Sequence, residues 1–151
     1  MTHLKISHFF LLFIVLTLVV ACSPSPTESN LVENRAIWQS QALENYQYKL
    51  SVFCNCPSVF DEPLIVEVQG GVATSISNAN SGEEVERKYL ANYDTLGKLF
   101  DVIQHAIDAN ADEISVKYNL NYSYPTNISI DYDLDGIDDE VGYTISDFEI
   151  R

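Results

Sequence analysis

The chain has 151 residues, 46% of them apolar and 11% aromatic, which excludes a disordered chain and leaves room for one domain with a real core. Its formal net charge is −14, from 22 acids against eight Lys and Arg. So acidic a surface is repelled by nucleic acid and by anionic lipid head groups, so the partners it leaves are cations, basic surfaces and neutral ligands.

Residues 1–21 read as an address and not as part of the fold. His3, Lys5 and His8 precede an apolar run from Phe9 to Val20. That run has the length of a signal-peptide core and falls short of the roughly 20 residues a spanning helix requires. It closes on Val19-Val20-Ala21-Cys22, small residues before a cysteine in the pattern of a bacterial lipobox. In such signals the peptidase cuts before the cysteine, whose sulfur and amino group then carry lipid chains. Cys22 is therefore the expected lipidation site. Several acyl chains on one residue anchor firmly, since each buried methylene contributes about 0.8 kcal/mol. Cleavage removes Lys5 and no acid, taking the charge from −14 to −15. The expected place is the cell envelope, membrane-anchored and facing the periplasm or the exterior. Ser23 after the cysteine resembles the outer-membrane signal of a diderm bacterium. Residues 22–29 then form the lipidated cysteine and a flexible polar tether, and residues 30–151 the globular domain.

Asn30 is placed to cap a first helix running to about Glu44. Leu31, Trp38, Ala42 and Tyr46 share one side of it, with Arg35 covering the edge of the stripe. Trp38 reads as a core anchor. Tyr46, Tyr48, Leu50 and Val52 alternate with polar residues, as a strand with one wet face does. Leu64, Val66 and Val68 alternate again, and Gly70-Gly71 turns the chain into Val72, Thr74 and Ile76, a hairpin signal. Asn78–Glu86 reads as a loop.

Asp94 or Thr95 caps a second helix that ends near Asn110, with Leu96, Leu99, Phe100, Ile103 and Ile107 on its buried side. His105 falls about 180° from that stripe and is expected to be exposed. Ile114, Val116 and Tyr118 mark a further strand, as do Ile128, Ile130 and Tyr132, and then Val141, Tyr143 and Ile145. The last carries on towards Phe148 and Ile150. The order helix, three strands, helix, three strands, with hairpin-length connections, predicts an α+β single domain. It has a mostly antiparallel sheet and two helices packed on one face. The two halves look alike in outline, with no residue-level repeat.

Several segments together resemble a family of bacterial lipoproteins known only as a domain of unknown function. They are Trp38, Tyr46-Gln47-Tyr48, Cys54-Asn55-Cys56-Pro57, Thr95-Leu96, Tyr124-Pro125-Thr126, and Asp138-Asp139-Glu140-Val141-Gly142-Tyr143 through Asp147-Phe148. They span nearly all of the chain after Cys22. The resemblance implies no established activity.

Two places could carry chemistry. After lipidation of Cys22, Cys54 and Cys56 remain, an even number for an oxidising compartment. One residue apart, they close a tight ring if they pair. A structural disulfide, a redox or intermolecular role, and two thiols of a metal site all stay open. The oxidoreductase pattern Cys-x-x-Cys is not present. The second place is Asp131–Glu140, six carboxylates in ten residues around Gly136. Alternating oxygens suit calcium. The ligands would be Asp131, Asp133, Asp135, the carbonyl of Ile137, Asp139 and Glu140. The twelfth position is Gly142 rather than glutamate, and strands flank the loop, so it matches the short calcium loop of extracellular folds and not a helix-loop-helix hand. A solvated hairpin turn is the plain alternative.

No Gly-x-Ser-x-Gly and no phosphate-binding glycine loop occurs. The primary expectation is a non-enzymatic, lipid-anchored envelope module that binds another envelope protein or ligand. A calcium-dependent structural or sensing module is the alternative, and a small hydrolase or thiol enzyme the third.

Overall fold

The structure is a computed structural model, described for residues Pro24–Arg151. The readings of residues 1–21, Cys22 and Ser23 lie outside the described residues. Two helices and six strands follow in the expected order: α1 (Pro26–Ser40), β1 (Tyr46–Phe53), β2 (Leu64–Gln69), β3 (Val72–Asn78), α2 (Leu96–Asp108), β4 (Glu113–Tyr118), β5 (Pro125–Asp131) and β6 (Glu140–Ile150). The strands form one sheet in the order β3-β2-β1-β6-β5-β4, and every neighbouring pair is antiparallel. The two halves of the chain meet where β1 pairs with β6. One face of the sheet buries Tyr46, Tyr48, Leu50, Leu64, Val66, Val68, Ile128, Ile130, Tyr143 and Ile145 against the helices. The other face is left open, with Ser51, Thr144, Asn127 and Lys117 in one cross-strand row.

Helix α1 starts four residues before the expected cap. Ser25 Oγ accepts the Glu28 amide at 3.1 Å and Pro26 takes the first helical position. Ser25-Pro26-Thr27-Glu28 is a serine with glutamate three residues on, a helix-start signature with proline suited to the first turn. Residues 26–29 thus belong to the helix and not to a tether. The helix also stops at Ser40, short of Glu44. Ala42 has φ 48°, a left-handed conformation that breaks the helix, and Tyr46 opens a strand instead of extending the helical stripe.

Trp38 is a core anchor as expected. Its ring lies 5.6 Å from Tyr46, 5.9 Å from Tyr124 and 6.2 Å from Phe148, all edge-on. Arg35 covers the seam between the helices. Its guanidinium sits 5.8 Å over the Phe100 ring and 3.2 Å from Asp101.

Two bulges reset which residues face inward. Glu67 pairs with Ser75, but Val68 pairs with Ala73, so Thr74 is the extra residue. Ala73 and Ile76 are therefore buried while Val72 and Thr74 are exposed, which corrects the expected set Val72, Thr74 and Ile76. On β6 the register against β1 shifts near Asp147, whose φ is 51°. Asp147 turns out to meet Lys49 at 2.6 Å, and Phe148 turns in to Tyr124 at 4.8 Å.

Tyr46 and Tyr48 are both buried inward residues of β1, but only Tyr46 has a partner: its hydroxyl accepts the Leu96 amide at 3.3 Å. Burial first, and then Asp94, raise the Tyr46 hydroxyl to about 12 despite that bond. Tyr46→Phe strands a helix N-terminal amide and should cost about 1 kcal/mol, whereas Tyr48→Phe, which removes a buried unpartnered hydroxyl, should be neutral or stabilising. Urea midpoints of the two variants check this contrast.

Candidate functional site

The start of α2 is built on one buried carboxylate. Thr95 caps the helix, its Oγ1 accepting the Lys98 amide at 3.3 Å, so the cap is Thr95 and not Asp94. Asp94 is fully buried and holds two cations: Arg87 Nε donates to Oδ2 at 2.6 Å, and Lys98 Nζ stands 2.7 Å from Oδ1. Lys98 Nζ also donates to the Ala91 carbonyl at 2.7 Å. These bonds fasten the segment Ala91–Tyr93 beside the helix.

A cleft of about 510 Å³ opens there. Ala91, Asn92 and Tyr93 form one wall, Lys98, Asp101, Val102 and His105 of α2 another, and Tyr132 and Tyr143 the third. The Tyr93 and Tyr143 rings meet edge to face at 5.2 Å. Burial raises the hydroxyls of Tyr93, Tyr132 and Tyr143, so all three remain protonated at neutral pH and can donate. Asp101 is engaged by Arg35. His105 is exposed as expected, but at the mouth of this cleft. The lining contains no serine, threonine or cysteine; it offers aromatic faces, tyrosine hydroxyls and the polar groups of Lys98, Asp101 and His105.

The acidic stretch is the turn between β5 and β6. Asp131 pairs with Glu140 across the strands and with Glu113 on the other side, three carboxylates in one row. Within the turn the aspartates serve their own backbone. Asp131 Oδ1 accepts the Asp133 amide at 3.2 Å, Asp133 Oδ1 the Asp135 amide at 3.0 Å, and Asp112 Oδ2 the Leu134 amide at 3.0 Å. The first two are side-chain turns of the kind aspartate favours, while the third ties the tip of the turn to the residue just before β4. Gly136 is required by close approach: a Cβ there would lie 2.7 Å from Asp139 Oδ1 and 2.9 Å from the Asp133 carbonyl. Ile137 and Leu134 are exposed at the tip. Asp131, Asp133, Asp135, Ile137, Asp139 and Glu140 share one turn. Among the described residues, however, no three acid, histidine or cysteine side chains gather into a set that could hold a metal ion. Partial withdrawal from water first, and then Asp139, Glu140 and Asp112, hold the Asp131 carboxyl above its usual range against the pull of the Asp133 amide.

Cys54 and Cys56 stand as a close pair just after β1, with Cα atoms 5.2 Å apart. Val52, Phe53, Pro57, Phe60 and Asp61 surround them, with no histidine among these neighbours.

The cleft escaped the sequence reading because it joins side chains from the loop before α2, from α2, and from β6 and the end of β5. Its signals were the inward positions of Tyr132 and Tyr143 and the acid immediately before the Thr95 cap.

A family model described as a family of unknown function (DUF6174) matches residues 30–150, and the chain belongs to that family. No curated protein and no solved structure matches the chain.

Asp94→Ala should cost about 2 kcal/mol, less than the 3–5 expected for breaking a fully buried pair, because Arg87 and Lys98 are half- and one-third-exposed and can turn to water. Urea unfolding measures the loss, and weakened near-ultraviolet tyrosine dichroism would report loosening of the Tyr93 wall. Asp131→Asn keeps the turn's hydrogen bond and removes a crowded charge. Because the folded carboxyl is raised, its charged form opposes folding as pH rises through the carboxylate range. The variant should therefore melt higher than the parent at pH 7 and lose that advantage in acid. Millimolar calcium should leave the melting temperature unmoved; a rise abolished by Asp133→Asn and Asp135→Asn would instead establish an ion in the turn.

Proposed function

We propose that this member of a family of unknown function is a lipid-anchored envelope protein whose domain works as a non-enzymatic binding module. The observation that carries the binding part is the cleft lined by Tyr93, Tyr132 and Tyr143, with Lys98, Asp101 and His105 among its polar groups. Aromatic faces and protonated hydroxyls suit a neutral or basic segment of another envelope component, and the acidic surface disfavours nucleic acid. The anchoring part rests on the lipobox pattern ending in Cys22. No helix among the described residues is long and apolar enough to cross a membrane. Helix α1 begins at Pro26, so at most about 14 Å of extended chain separates it from Cys22 and the domain would stand close to the bilayer.

The calcium reading of the Asp131–Glu140 turn draws its support from spacing, and the calcium titration decides it. A small hydrolase or thiol enzyme is the third reading, and the cleft's lining holds no cysteine.

Two measurements in cells test the proposal. Radiolabelled palmitate should enter the chain and keep it with the membrane fraction, and Cys22→Ala should abolish both. A photo-crosslinking residue at Asn92, on the cleft wall, should give a discrete adduct that Tyr132→Ala removes, while the same probe at Glu67 on the open face gives none. A soluble, unlabelled wild-type chain, or adducts independent of position, would overturn the corresponding half.

A further inference from the structure

The sheet has two edges, and the chain treats them differently. The β3 edge is blunted by a bulge and closed at its Ile76–Asn78 end. Thr74 bulges it, and the following loop returns along it, with the Asn78 amide donating to the Glu83 carbonyl and the Val85 amide to the Ile76 carbonyl, each at 2.8 Å. The β4 edge is open: among the described residues no strand or loop pairs with its outer side. From Glu113 to Lys117 it is regular, free of proline, glycine and bulge. Such an edge is a template for another strand.

Its side chains also carry an unmet charge pattern. Glu113, Ser115 and Lys117 point to the open face, and Ile114, Val116 and Tyr118 stand half-buried on the helix side. Lys117 shares its row with Asn127, Thr144 and Ser51, and among the described residues it has no carboxylate partner. Glu113 begins the row of three acids that continues through Asp131 and Glu140. The strand thus holds a cation without an acid at one end and an acid without a cation at the other.

We propose that the β4 edge seats a second copy of this chain, antiparallel, about a two-fold axis at Ser115. That register places Glu113 opposite Lys117 of the other copy and Lys117 opposite its Glu113, both pairs on the open face. Ile114 faces Val116 on the helix side. Shifting the centre by one residue to Ile114 or Val116 loses both ion pairs, and a half-residue shift would set outward residues against inward ones. Charge complementarity therefore selects one register. The cation arriving opposite Glu113 also relieves the crowded row of acids. The product is a continuous sheet of twelve strands from two sheets of six. The overall negative charge of the two copies opposes the contact, but at physiological salt the screening length is about 8 Å, which weakens distant repulsion more than touching pairs.

The test uses the full chain in its membrane, with Ser115→Cys introduced. Residues directly opposite on paired strands lie about 4.5–5.5 Å apart, within disulfide range. A mild oxidant should yield a species of twice the chain's mass on a non-reducing gel, while Thr74→Cys on the blunted edge should yield little. Adding Lys117→Glu should cut the yield roughly tenfold by setting like charges together twice. Adding Glu113→Lys as well should restore it, which separates lost charge pairing from misfolding. No doubled species from Ser115→Cys would overturn the proposal. So would equal yields at Thr74→Cys, a species of another mass, or indifference to Lys117→Glu.

Discussion

The arrangement around the cleft depends on one buried carboxylate. Asp94 sits at the point where an irregular loop becomes α2, out of water and between Arg87 and Lys98. An unpaired charge there would be strongly destabilising, so the two cations must come to it. Their arrival fixes the short turn Arg87–Tyr89, the first turn of α2 and, through Lys98 and the Ala91 carbonyl, the wall that carries Tyr93. Tyr46 adds its hydroxyl to the same helix start, linking it to the central strand. Remove Asp94 and the helix has other reasons to form, but the wall of the cleft has few.

A second constraint is phase. A strand alternates faces with a period of two, and one extra residue reverses everything after it. Near Asp147 that reversal brings Phe148 into the aromatic cluster of Trp38, Tyr46, Tyr122 and Tyr124, and sends an acid out to Lys49. At Thr74 it brings Ala73 in and helps close one edge of the sheet. The blunted β3 edge and the open β4 edge give the sheet a direction, which an unbulged sheet of the same strands would lack.

Much of the fold was legible from sequence because it rests on local signals. The alternating runs at Tyr46–Val52, Leu64–Val68 and Ile114–Tyr118 placed strands where the structure has them, and the Leu96–Ile103 spacing placed α2. The start of α1 was readable too, in Ser25-Pro26-Thr27-Glu28, but Asn30 drew the boundary inward. The end of α1 was less so, since nothing in the local pattern marks Ala42 as left-handed. The acidic turn shows the limit for sites. Its aspartate spacing is that of a calcium loop, and the same spacing also lets Asp131 and Asp133 each accept an amide two residues on.

By itself the sequence determined the class of fold, the antiparallel pairing of hairpin-linked strands, the burial of Trp38 and the exposure of His105. All of these follow from periodicity and turn chemistry within a dozen residues. Tertiary structure alone decided that β1 and β6 would be neighbours, that Tyr93, Tyr132 and Tyr143 would line one cleft, and that one edge would stay open. Those outcomes depend on residues far apart in the chain. Their meeting is set by how whole faces pack and by where a single inserted residue turns a strand over, and no local pattern records that.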